Sequence, residues 1–215
     1  MQDKYIDIYC ERTGPEYWSE PVNAVTNLSF IIAAFFLARL ISRQAGRGGG
    51  DLLHLIVCGL IFLIGIGSWL FHTHATWWAL AADVFPIIIF ILLYTWLALR
   101  RFAYAPVWVC IIGVLLILSI ARVVPMLTGF QGGSYLAALA ALIAIGGFLH
   151  FFRSHVAGIS LLWAAVLFAV SLTLRTIDLP LCGYFGLGTH FMWHVMNALV
   201  LFIVGRAMVL HGKRY

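Results

Sequence analysis

Apolar residues fill this chain in long runs rather than in narrow stripes. Seven runs of roughly 20 residues begin near Val22, Leu52, Trp77, Ala105, Tyr135, Ile159 and Thr189. They end near Ser42, Phe71, Leu99, Val124, Phe152, Leu174 and Leu210. Runs of that length cross a bilayer as helices. Turn-forming segments separate several of them: SRQAGRGGGD at 42–51, RRFAYAP at 100–106, PMLTGFQGGS at 125–134 and DLPLCGYFGLG at 178–188. The period-two alternation that a membrane barrel needs is absent. The predicted fold class is an all-α integral membrane protein, a single seven-transmembrane-helix bundle over 1–215. An acidic N-terminal segment occupies 1–21, the seven spans 22–210, and a short cytoplasmic tail 211–215.

Composition agrees with that pattern. Hydrophobic residues make up 63% of the chain and charged ones 10%, with a mean hydropathy of +1.02. Soluble domains carry about a quarter charged residues. The N-terminus MQDKYIDIYCERTG lacks the basic-then-apolar layout of a cleavable signal peptide. Basic residues set the expected orientation. Arg39, Arg43, Arg47, Arg100, Arg101, Arg153, Arg206, Lys213 and Arg214 fall on one side of the seven spans; Lys4, Arg12, Arg122 and Arg175 fall on the other. The positive-inside rule then puts the N-terminus outside and the C-terminus in the cytoplasm. The net charge of +5 is accounted for by a cytoplasmic rim facing anionic headgroups, with no nucleic-acid partner implied.

Against this apolar background, GSWLFHTHATWWALAADVFP at 67–86 places ionisable groups where they are costly. Ser68 and His72 stand four apart on one face of span two, and Asp83 lies in the outer half of span three. His190 and His194 repeat the four-residue spacing at the start of span seven. The five share one depth and one side; their lateral proximity is an assumption. Three neutral imidazoles without a fourth strong ligand is the pattern of a catalytic zinc site, and the plainer alternative is histidines hydrogen-bonded between helices. His74 is expected at the interface, and His54, His150 and His155 at the cytoplasmic surface. Asp83 is the carboxylate at the right depth for proton transfer, or else it orients a ligating imidazole. Ser68 is positioned to donate to a developing oxyanion, or else bonds back to its own helix.

With YCE at 9–11, EPVNAVTN at 20–27, GSWLFH at 67–72 followed by Asp83, and HFMWH at 190–194, the chain resembles the alkaline ceramidase family. That family lies within a wider group of seven-span membrane hydrolases that includes the adiponectin and progestin receptors. The resemblance covers nearly the whole chain. It implies that His72, His190 and His194 hold Zn2+ with Ser68 and Asp83 beside it. It also implies a Ca2+ site in the acidic N-terminal segment, whose hard oxygen ligands suit that ion. Glu11 and Glu20 are the best-placed side chains for it, Asp7 is next, and the Tyr9 carbonyl is a further candidate. A solvated acidic tail is the alternative. The aspartate here lies one residue further from Cys-Glu than in the animal pattern, and Thr13 stands where an asparagine ligand is expected.

Cys58 and Cys110 fall within spans, where a thiol acts as a small hydrophobe. Cys10 and Cys182 both fall in outer-side segments, where an oxidising compartment lets disulfides persist, and the family has a cysteine in the same Cys-Glu context. A Cys10–Cys182 bridge is expected, with two free thiols as the alternative, since sequence does not fix connectivity.

The expected function is a zinc-dependent intramembrane amidase that hydrolyses ceramide or a related N-acyl lipid to fatty acid and free amine. One rival is a zinc hydrolase of another lipid, a phospholipid ester or an acylated amino-acid lipid. The other is a lipid-sensing, receptor-like bundle with structural zinc. Short loops suggest a bacterial inner membrane, with the zinc site toward the periplasmic face. The scant tail beyond the last span implies no obligate protein partner.

Overall fold

The computed structural model describes residues 5–46, 51–130 and 132–212. Lys4, Arg47, Lys213 and Arg214, which enter the charge asymmetry above, lie outside the described residues, as does the end of the tail. The helices are α1 (Pro21–Thr26), α2 (Leu28–Ala45), α3 (Leu52–His74), α4 (Trp77–Arg101), α5 (Val107–Thr128), α6 (Gly133–Gly147), α7 (Val156–Thr176), α8 (Asp178–Leu181) and α9 (His190–His211). A wider π-helical turn, Phe148–Phe152, extends α6. No strand occurs among the described residues. Among the described residues, seven helical units are long and apolar enough to span a membrane, α1 and α2 acting as one and α6 including its π turn. Helices satisfy their own backbone hydrogen bonds, which hydrocarbon cannot do. The chain is an integral membrane protein.

The expected spans match to within a few residues, with one difference of kind: the first is broken at Asn27. There the Asn27 amide donates to Asn23 O at 2.9 Å, and the chain turns from α1 into α2. The spans pack in a ring in chain order, from α2 through α7, with α9 closing back onto α2 and also touching α3. α9 is the most buried span and α5 the least. Phe35, Phe36, Leu115, Leu116 and Trp163 point outward, as lipid-facing side chains should. A core of Leu37, Ile61, Leu97, Leu161 and Met208 fills the interior.

One close approach decides where the polar residues meet. A Cβ at Gly67 would collide with the Ala82 carbonyl of α4. Pro86 lies inside α4 and has no N–H, so that carbonyl lacks its usual helical donor. Gly67 in α3 thus seats against the freed carbonyl, one residue from both Ser68 and Asp83.

Cys10 and Cys182 form a disulfide across 172 residues of chain. It ties the N-terminal segment to the connection that leads into α9. His54 departs from expectation: it is 1% exposed, not a surface residue. Arg101 and Asp51 enclose it at the far end of the bundle.

Candidate metal centre

His72 comes from the last turns of α3, and His190 and His194 from the first turns of α9, so the contact between α3 and α9 brings them together. All three are buried, at 1%, 2% and 1% exposure. One ligand atom from each lies within 4.8 Å of the other two; among the described residues no other trio of His, Cys, Asp or Glu converges in this way. These three histidines are able to hold a metal ion.

Their hydrogen bonds sharpen the geometry. His72 Nδ1 lies 2.5 Å from Glu20 Oε2, so its proton points to the carboxylate. Thr26 Oγ1 lies 2.8 Å from Val22 O and 3.0 Å from Asn23 O. Its own proton is therefore committed to the helix, and it accepts from His194 Nδ1 at 2.9 Å. These assignments follow from the network. Each imidazole then turns its Nε2 toward the other, 3.1 Å apart, a gap that one shared proton or one ion can bridge. The third ring, His190, stacks on Tyr9 with centroids 3.6 Å apart, and its buried Nδ1 has no hydrogen-bond partner.

Ser68 and Asp83 lie beside the histidines. Ser68 stands beside the Asp83 carboxylate, and both line a cavity with His190 and His194. From that polar head the cavity runs between the helices past Phe90, Tyr94 and Leu142 to Ala98 and Val204. At 1.5 Å per residue, Asp83 to Ala98 on α4 measures about 22 Å. The walls below the head are almost wholly apolar. Arg175 flanks the upper part, its guanidinium 5.2 Å from the Tyr135 ring centroid and 5.7 Å from that of Trp193.

The N-terminal segment braces this end. Asp178 accepts from Cys10 N at 2.9 Å through one oxygen, and from Thr189 N at 2.6 Å and His190 N at 2.8 Å through the other. It therefore links the disulfide to the start of α9 and satisfies N–H groups that a helix terminus leaves open. Gly188 has φ +64°, and a Cβ there would strike Asp178 and Cys10; only glycine fits this turn.

The calcium expectation finds no support here. Asp7 is exposed and does not join Glu11 and Glu20 in an oxygen cage. Glu11 accepts from Val22 N and Asn23 N, both at 2.7 Å, capping α1. Burial raises the Glu11 carboxyl above its ordinary range despite those donors. Glu20 accepts from Arg12 Nε at 2.5 Å, from the Asn23 amide at 3.0 Å and from His72. Burial alone would raise Glu20 too, but His72, Asn23 and Arg12 outweigh it and hold the carboxyl below its ordinary range. The carboxylates are committed to donors already present, so these residues do not fit calcium.

Tyr9, Arg12, Glu20 as partner of His72, Thr26 and Asp178 are the site neighbours that sequence reasoning missed. One signal pointed to Arg12: it is a cation set among the acidic residues of the tail. The family model described as Ceramidase matches residues 8–213, nearly the whole chain. No curated protein matches the chain.

Proposed function

The chain belongs to the ceramidase family, a membership that implies a hydrolase acting on a lipid, and from that premise we propose a zinc-dependent amidase that cleaves ceramide or a related N-acyl lipid. One observation carries the reading: three converging imidazoles and a buried carboxylate stand at the head of a deep apolar cavity. An N-acyl lipid has that same division, with one amide beside a long chain.

His72, His190 and His194 are the proposed zinc ligands. Nitrogens 2.0–2.1 Å from a tetrahedral zinc sit about 3.3–3.4 Å apart, close to the 3.1 Å between His72 and His194. Zinc held there supplies Lewis acidity, polarising a carbonyl and acidifying a water toward neutral pH. Glu20 orients His72, and Thr26 orients His194, each through Nδ1. Asp83 takes the proton of the attacking water and delivers it to the departing amine. Ser68, beside Asp83, offers its hydroxyl to the carbonyl oxygen. The balance is one water and one amide in, one carboxylic acid and one amine out.

We also propose that this end of the bundle faces the outer side. The Cys10–Cys182 disulfide belongs to an oxidising compartment, and Arg39, Arg43, Arg100, Arg153 and Arg206 fall toward the opposite face. Arg12 belongs to the site rather than to a headgroup rim, which strengthens the asymmetry. The deciding assay incubates purified protein with labelled ceramide and other N-acyl lipids. Release of fatty acid is expected, lost on zinc chelation and restored by zinc. Full release after exhaustive zinc removal would sink the reading.

A further inference from the structure

Arg12 is buried, at 5% exposure, and all three guanidinium nitrogens are engaged. Nε donates to Glu20 Oε1 at 2.5 Å, one Nη to Gly14 O at 3.0 Å and the other to His72 O at 2.8 Å. The three acceptors are oxygens from three separate places in the chain, gathered around one cation. His72 O lies within the last three residues of α3. Carbonyls there lack helical donors and carry the negative end of the helix dipole. Glu20 in turn receives His72 Nδ1 on its other oxygen. The guanidinium therefore grips His72 twice, through its carbonyl and through the carboxylate that holds its ring.

We propose that Arg12 is the resident cation of this segment, standing in place of a bound calcium ion and positioning His72 for the metal through Glu20. The inference rests on the zinc reading only for the role of His72. A calcium ion needs 6–8 oxygens; the guanidinium meets three by directed hydrogen bonds and neutralises Glu20 without an ion from solution. Planar, always charged and forked, it suits a fixed multi-acceptor seat that a lysine ammonium does not reproduce. Arg12 is a positioning residue: it acts on the metal through Glu20 and the α3 terminus.

The test follows two readouts on purified, detergent-solubilised full chain: zinc affinity by competition with a chelating dye, and the thermal midpoint during calcium titration and EGTA treatment. With free zinc buffered at one concentration throughout, because EGTA also binds zinc, the wild type is expected to keep its midpoint in EGTA and in millimolar calcium alike. Arg12→Ala is expected to bind zinc about 10- to 100-fold more weakly, the usual effect of losing a residue behind a metal ligand. Because it frees Glu20, Gly14 O and His72 O, its midpoint should rise with calcium. If Arg12→Ala does not accumulate, Arg12→Lys replaces it, with weakened zinc binding expected because the fork is lost. A wild-type midpoint that falls in EGTA and recovers with calcium overturns the proposal. So does a variant that binds zinc as tightly as the wild type, or an Arg12→Ala protein whose midpoint ignores calcium. A wild type that binds no zinc refutes the zinc reading instead, and the calcium titration still reports on Arg12.

Discussion

Helix α3 carries a buried histidine near each end, and each sits beside an arginine and a carboxylate. At one end stand His72, Arg12 and Glu20; at the other, His54, Arg101 and Asp51. The residue types are the same and the wiring is reversed. Glu20 takes the Nδ1 proton of His72 and leaves Nε2 open toward His194. Arg101 donates to Nε2 of His54 at 3.2 Å, so the lone pair there is consumed by a cation. A histidine backed by a carboxylate keeps a ligand atom for a metal, and one facing a guanidinium does not. Composition alone does not make a metal site; the direction of the hydrogen bonds does.

The sharpest way to break this contrast is to remove one histidine from each end. His194→Ala should lose zinc and bring lipid hydrolysis to background, because two imidazoles remain where a catalytic site uses three protein ligands. His54→Ala should keep one zinc per chain while lowering the thermal midpoint, since it opens a gap in a buried cluster. Metal analysis of both proteins decides it: equal zinc in the two variants removes the distinction.

The next largest effect concerns the carboxylates. Asp83 lies beside Ser68 and makes no direct ion pair among the described residues, whereas Asp51 pairs with Arg101 at 2.7 Å. A carboxylate that no guanidinium grips directly is available to move protons. Asp83→Asn should retain zinc and lose turnover by about 10²- to 10⁴-fold, the range for a general acid-base group. Zinc loss in that variant would mean that Asp83 orients a ligand rather than shuttling protons.

Much of this was legible in the chain, and the reasons differ by part. Spans are legible because a bilayer demands about 20 apolar residues per crossing. His190 with His194, and Ser68 with His72, are legible because residues four apart share a helix face. Asp83 needed the Gly67–Ala82 approach to reach Ser68, which no spacing within one helix encodes. The Nδ1 partners of His72 and His194 come from outside their own helices: Glu20 and Thr26 lie more than 50 residues from the rings they hold. His54 was misread for a related reason. Its position near a span end suggests a surface, while Arg101, 47 residues away, folds over it. The acidic tail was the least legible part, because counting carboxylates does not reveal that Arg12 and backbone N–H groups already hold them.

The smallest effect sharpens the far end as a staple. Asp51 caps α3, accepting from His54 N at 3.0 Å, and pairs with Arg101. Partial burial by itself would raise its carboxyl; the His54 N–H and the Arg101 guanidinium outweigh that and hold it below its ordinary range. A carboxylate depressed in the folded state stabilises above its unfolded pKa, about 3.9, and that contribution fades as pH falls through the lower folded value. Asp51→Asn keeps a capping oxygen and loses the charge, so at neutral pH it should cost only about 1 kcal/mol. The gap between wild-type and variant midpoints should stay constant from pH 7 down to about 5 and close below about 4, where the wild type protonates as well. Zinc affinity should not change in this variant, because nothing at this end touches the ligands. A gap that persists undiminished at pH 3 would show that shape at the cap, rather than the charge on Asp51, is what α3 needs there.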